Sequence, residues 1–272
     1  MKRTLAFAAA VALVSLVLVV SGCGKNSSEN TFTVGFDPEY PPFGFVDTAG
    51  EFGEAGAYVG FDLDLAELVC EKAGWEFVAV PIDWTAKDAL LESGEITCVW
   101  DGFTHEGRED DYQWSMPYMV NAQVVVVKAD SGYSSLADLA GKVVLTQASV
   151  TGYDLMQTEY ADANATFAQG GVQTVASYAE AFRQLEAELC DAVICDISYF
   201  AYQDMVKAGM FANIVTLSSE HYAVGFAKDN PDAAAMIAEI NRAFKQLDSD
   251  GQIRALCDKY AAYGADYGAW CV

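Results

Sequence analysis

The fold is decided by residues 61–101, FDLDLAELVCEKAGWEFVAVPIDWTAKDALLESGEITCVWD. From Phe61, apolar residues recur at helical spacing through Leu65, Leu68 and Val69 as far as Gly74, a helix stop. WEFVAVPI reads as a strand, AKDALLESG as a second helix ended by glycine, and ITCVW as a second strand. Strands alternating with helices of this length form a mainly parallel sheet, whose ligand crevice lies beyond the carboxyl ends of the strands.

The pattern extends both ways from this stretch. Upstream, TFTVGF is a strand, and DPEYPPFGF reads as a rigid extended loop because its three prolines fix the backbone and remove donors. Downstream lies a second α/β set: the strand GKVVLTQ, the helical stretches DLMQTEYADA and YAEAFRQLEAEL, the strand AVICD and the helical ISYFAYQDMVKAG. ALLESGEITCVWD (89–101) and QLEAELCDAVICD (184–196) look like one device used twice, each running from a helix end through an apolar strand to an aspartate. Two long runs, NAQVVVVKAD (121–130) and SSEHYAVGFAKDN (218–230), separate this set from its flanks. If both cross between lobes, residues 31–122 and 220–272 form a discontinuous first lobe, residues 123–219 form the second, and the crossings make a hinge. The last segment reads as two helices around an Asp-Ser-Asp-Gly turn.

The first residues, MKRTLAFAAAVALVSLVLVVSGC, carry two cations, then an apolar run too short for a comfortable membrane span, then small residues. Residues 1–22 are expected to be a secretory signal. Val20-Ser21-Gly22-Cys23 resembles a lipobox, which implies a lipid on Cys23 and membrane anchorage through it; ordinary cleavage near Ser21 is the alternative. Residues 23–30 read as a tether. The chain holds 39 acidic and 15 basic residues, net −24, and signal removal takes away cations only. Nucleic acid and anionic membrane surfaces are therefore poor partners. Cys70, Cys98, Cys190, Cys195, Cys257 and Cys271 lack zinc-site spacing, so no metal or other cofactor is expected; Cys257 with Cys271 is the expected disulfide.

Asp101, Gly102 and Thr104 fall just past a strand end, where glycine lets backbone amides approach a ligand. Arg108 follows in the same loop. A guanidinium can bind a carboxylate through two parallel hydrogen bonds; it can equally pair with Glu109 or Asp111 at the surface, at about 0–1 kcal/mol.

WDGFTHEGRED followed by WSMPY, together with VGFDPEYPPFGF, VGFDLDLAELV, AVICD and YAVGFAKDN in that family's order, resembles the extracellular amino-acid-binding proteins of ABC importers, bacterial solute-binding protein family 3. The resemblance implies a two-lobed α/β fold of the type II periplasmic-binding-protein kind, with two crossover strands as its hinge. It implies binding of a free amino acid between the lobes and delivery to ABC transporter membrane subunits, by a monomer. By position, Arg108 would bind the ligand α-carboxylate with Thr104 and Thr151, and Asp196 the α-ammonium. Asp37, Tyr40, Phe43 and Trp84 would wall the side chain, and Asp62 would stand near a polar or cationic ligand end. Quieter readings exist: Asp196 as the cap of the helix ISYF, Tyr40, Phe43 and Trp84 as core aromatics, and Asp62 as a helix-start residue. The chain departs from the family pattern at His105 and Glu106, where Glu106 could compete for Arg108, and at Ser149 and Val150 after TQA. An acidic, aromatic pocket favours a polar or basic ligand over an acidic one. The rival classes are an enzyme on the same scaffold, dehydratase-like or peptidoglycan-cleaving, for which no nucleophile and base are paired in sequence, and a sensor subunit presenting ligand to a receptor.

Overall fold

The computed structural model describes residues 30–272; the signal segment, Cys23 and the rest of the tether lie outside the described residues. β1 (Thr31–Phe36) leads into a small antiparallel sheet of β2 (Glu39–Tyr40), β3 (Gly44–Asp47) and β4 (Ala57–Val59). Then come α1 (Phe61–Ala73), β5 (Glu76–Pro81), α2 (Lys87–Ser93), β6 (Cys98–Val99) and β7 (Tyr112–Trp114). β8 (Met119–Asn121) passes directly into β9 (Gln123–Lys128), which opens the second set: β10 (Val144–Gln147), α3 (Thr151–Gln157), α4 (Ala161–Asn164), β11 (Gln173–Val175), α5 (Tyr178–Glu186), β12 (Ala192–Asp196), α6 (Ile197–Val206) and β13 (Phe211–Thr216). The chain returns through β14 (Glu220–Tyr222) to β15 (Gly225–Ala227), α7 (Ala233–Ser249) and α8 (Gln252–Lys259).

Two five-stranded sheets result, in the orders β5-β1-β6-β15-β7 and β11-β10-β12-β9-β13. β1 runs parallel to β5 and β6, and β10 runs parallel to β11 and β12, while β15 and β9 join antiparallel. The molecule is thus two α/β lobes. Between them β8 and β14 pair antiparallel, Asn121 opposite Glu220 and Met119 opposite Tyr222. These two strands are the crossovers, and they form the hinge.

Local chemistry explains the boundaries. α1 starts after Gly60, whose φ of 151° suits glycine and where a Cβ would stand 1.9 Å from the Phe43 carbonyl oxygen. Asp62 and Asp64 lie in its first turn, where the helix dipole favours acids, and Gly74 ends it in the left-handed conformation. Its face Phe61, Leu65 and Val69 is fully buried, and each such side chain contributes about 1.5–3 kcal/mol on burial. Ser177 caps α5 by accepting from the Glu180 N–H.

Four expectations are corrected. DPEYPPFGF is not all loop, since it contains β2 and the start of β3. The helical stretch 154–163 is two helices: α3 begins earlier, at Thr151, and a non-helical Thr158 (φ −117°, ψ −87°) ends it. SSEHYAVGFAKDN is two strands in different sheets, the hinge strand β14 and the lobe strand β15. Cys257 and Cys271 are free thiols, the first buried in α8 and the second exposed.

Candidate functional site

A cleft with about 360 Å³ of space not filled by atoms lies between the lobes. It sits at the carboxyl ends of four strands: Asp37 follows β1, Asp101 to Thr104 follow β6, Gln147 ends β10 and Asp196 ends β12. Asp37, Tyr40, Trp84, Gly102, Thr104 and Arg108 line it from one lobe, and Thr151 and Asp196 from the other. Eight of the ten ligand-contact expectations therefore meet in one cavity.

Gly102 turns the β6 loop with φ 57°, and a Cβ there would come within 2.6 Å of the Tyr40 ring. Its N–H donates to Asp62 Oδ2 (2.7 Å), which also accepts from the Tyr118 hydroxyl (2.6 Å). Asp62 thus braces the turn from behind and does not line the cleft, contrary to the family-based expectation. Phe43 is likewise outside the lining: its ring stacks on Tyr40 (5.6 Å) and meets Tyr222 edge-on (5.2 Å), supporting the wall without forming it. Trp84 does face the cleft, set edge-on against Phe103 at 5.6 Å.

Arg108 reaches across the cleft. Its guanidinium donates to Thr151 Oγ1 (2.8 Å) and to Asp154 Oδ2 (3.0 Å) on the opposite lobe, and lies 5.6 Å from the Phe103 ring. The Trp114 indole N–H anchors the loop on the Arg108 carbonyl oxygen (3.0 Å). Glu106 does not compete for the arginine: its carboxylate accepts from the His221 N–H (2.7 Å) and faces His221 Nδ1 (2.6 Å). The carboxylate beside Arg108 is that of Asp154, whose side chain is 60% exposed; such a pair contributes about 0–1 kcal/mol and gives way readily.

Asp196 occupies the cap position of α6 but makes no side-chain cap bond. Its Oδ1 instead accepts from Asn121 Nδ2 (2.6 Å) and Gln123 Nε2 (2.7 Å). Burial first, and then the charge of Glu220, push its carboxyl up to about 6. Asp37 accepts from Gln147 Nε2 across the cleft (2.7 Å) and gives its own N–H to Asp101 Oδ2 (2.7 Å). Burial raises Asp37 and raises Asp101 far above the usual carboxylate range, with Asp37 and Asp62 adding to the latter. Asp62 is pushed up to about 7 by burial against the opposing bonds of Tyr118 and Gly102. One guanidinium, that of Arg108, thus shares the cleft lining with three aspartates, Asp37, Asp101 and Asp196.

Sequence reasoning missed Gln123, Gln147 and Tyr178 in the lining. The two glutamines sit in strand patterns that read as ordinary polar alternation; their signal was a long polar side chain in an otherwise apolar, buried strand. Ser149, noted as a departure, lines the cleft in the left-handed region (φ 60°), unusual for a residue other than glycine. Val150 lines it too and provides no side-chain cap for α3.

Residues 32–263 match the family described as bacterial extracellular solute-binding proteins, family 3. The chain belongs to that family. Among its curated relatives, the arginine-binding extracellular protein ArtP of Bacillus subtilis (strain 168) is 26% identical over 88% of this chain and 89% of its own length. The lysine/arginine/ornithine-binding periplasmic protein of Escherichia coli (strain K12) is 27% identical over 85% of this chain and 87% of its own. Among solved structures, an ABC uptake transporter substrate-binding protein from Streptococcus pneumoniae with bound histidine superposes with a TM-score of 0.80 at 29% identity, covering 89% of this chain and 96% of that one. An ancestral arginine-binding protein bound to arginine gives 0.72 at 31% identity, covering 85% and 98%. Family 3 proteins are extracellular solute-binding proteins.

Proposed function

We propose that this chain binds a free amino acid with a polar or cationic side chain, with Arg108 and Thr151 on its α-carboxylate, Asp196 on its α-ammonium, and Asp37, Tyr40 and Trp84 around its side chain. Binding of an amino acid and its delivery to an ABC importer accord with the family; the ligand class and the residue roles are our reading. Its main support is the placement of one guanidinium and one buried carboxylate across a single inter-lobe cleft. Taking a zwitterion out of water costs several kcal/mol per charged group, so each pole needs a fixed partner of opposite sign. Partners on opposite lobes are met together only when the lobes are closed, so ligand shifts the hinge equilibrium toward closure. The surplus of acid over Arg108 favours a ligand with a second positive charge.

The lobes divide at 122/123 and 219/220 in this proposal, and Cys23 carries the lipid that anchors the exported protein to the outer face of the membrane. A thermal-shift screen of the common amino acids, followed by calorimetry, tests the ligand class: arginine, lysine, histidine or ornithine should give the largest shifts, and a preference for glutamate or aspartate would break the charge argument. Recovering the bound amino acid chemically unchanged after prolonged incubation separates a carrier from an enzyme on the same scaffold.

A further inference from the structure

Glu220 is buried to 1% exposure in the hinge strand β14, does not line the cleft, and is surrounded by four neutral donors. Its Oε1 accepts from Thr104 Oγ1 (2.9 Å), Asn121 Nδ2 (2.7 Å) and Gln123 Nε2 (2.9 Å), and its Oε2 from Ser218 Oγ (3.1 Å). The NH2 groups of Asn121 and Gln123 are the same ones that donate to Asp196 Oδ1. Both amides leave their carbonyl oxygens buried and without a hydrogen bond, so their orientation is set by the two carboxylates. Two buried acids sharing two amides is a costly arrangement for stability alone. It is also centrally placed: Thr104 belongs to the Arg108 loop, Asn121 and Glu220 to the hinge ladder, and Gln123 and Asp196 to the second lobe.

We propose that Glu220 is the positioning residue of the ammonium subsite, holding Asn121, Gln123 and Thr104 in the one arrangement that presents Asp196 to the ligand, and adding its own charge to the pull on an ammonium group that it does not touch. This rests on the reading of Asp196 as the ammonium partner. Without Glu220 the amides lose their second acceptor, the Arg108 loop loses the side-chain tie of Thr104 while its backbone ties to β14 remain, and Asp196 loses a negative neighbour. The other groups facing Asp196 remain: the hydroxyls of Tyr40, Tyr178 and Tyr222, the Cys195 thiol beside it, and the buried Asp101. Loss of a negative neighbour therefore lowers the pH at which Asp196 takes a proton.

The test uses the full chain, wild type, Glu220→Gln and Glu220→Asp. Carboxyl carbon NMR first follows Asp196 in ligand-free protein from about pH 8 to about pH 4, and calorimetry then measures L-arginine over the same range. In Glu220→Gln the Asp196 midpoint should fall by on the order of one pH unit. The wild-type advantage in affinity should be on the order of tenfold at neutral pH and shrink as pH falls, a signature that a purely structural role does not produce. Equal Asp196 midpoints in wild type and Glu220→Gln overturn the proposal. Should Glu220→Gln fail to fold by circular dichroism, Glu220→Asp decides: it keeps the charge but draws it back from the amides, so it should retain a raised midpoint and bind more weakly, and wild-type affinity overturns the proposal. If wild type binds none of the common amino acids, the amino-acid reading falls, while the NMR titration still decides whether Glu220 governs Asp196.

Discussion

The unit from α2 through β6 to Asp101 and the unit from α5 through β12 to Asp196 bring the same side chain to the same cleft, one from each lobe. Both turn from helix to strand through a left-handed residue, Gly94 (φ 73°) in the first and Glu188 (φ 60°) in the second. They differ in what meets the carboxylate. Asp101 accepts a backbone N–H from its own lobe, that of Asp37, and its other oxygen is buried without a partner. Asp196 is held by side-chain amides from the hinge region. The role of the terminal acid is set by donors on other elements, not by the unit that carries it.

The sharpest way to break this comparison is to neutralise each acid in turn. Asp196→Asn should weaken L-arginine binding at least about a hundredfold, as should Arg108→Ala, because stranding a buried charge costs about 3–5 kcal/mol. Asp101→Asn should change affinity less than about fivefold, since that carboxylate is tied to the Asp37 N–H of its own lobe and burial disfavours its charged form. Equal losses by calorimetry for the two asparagine variants would mean that both acids meet the ligand.

A pH series sharpens the same contrast. Asp196 must be ionised to hold an ammonium, so affinity should fall as pH drops through about 6, by on the order of tenfold near pH 5. Stability should move the other way between neutral pH and that point. Asp62, pushed up to about 7, Asp196 and Asp101 bind protons more readily folded than unfolded. The native state thus takes up more protons as pH falls, and the stability that these groups withhold at neutral pH is regained. Melting temperatures that decline together with affinity over this window would contradict the assignment of these shifts.

The smallest effect concerns the turns. Glu188→Gly should raise stability by about 0.5–1 kcal/mol, because glycine takes the left-handed conformation without the Cβ penalty, while the ion pair lost with Lys128 is exposed and weak. An unchanged or lower unfolding midpoint in denaturant would show that this turn is not strained.

Most of the lobe architecture was legible in the residues, because period and punctuation carry it: the helix from Phe61 to Gly74, the strand at 31–36 and the aspartate-ended strand at 192–196 all stand where spacing put them. What was not legible depends on long-range partners. The prolines around Tyr40 obscured a three-stranded sheet whose pairing lies outside the segment. Asp62 shares its residue type with the cleft acids and is distinguished only by Tyr118 and Gly102, which claim its oxygen. Asp154, Glu220 and the glutamines became visible only once the lobes had been brought together, since each acts on a group more than forty residues away in the chain.

Beyond α8, Trp270 forms a bridge to Met119 of β8, and the Cys271 N–H donates to the Tyr118 carbonyl oxygen (3.0 Å). Just upstream, Tyr263 stacks on Tyr202 of α6 at 5.4 Å. The final dozen residues therefore rest on the pivot and touch both halves of the molecule. A fluorescent reporter or affinity handle appended after Val272 would load the swinging motion itself, so a biosensor built on this scaffold should carry its label elsewhere.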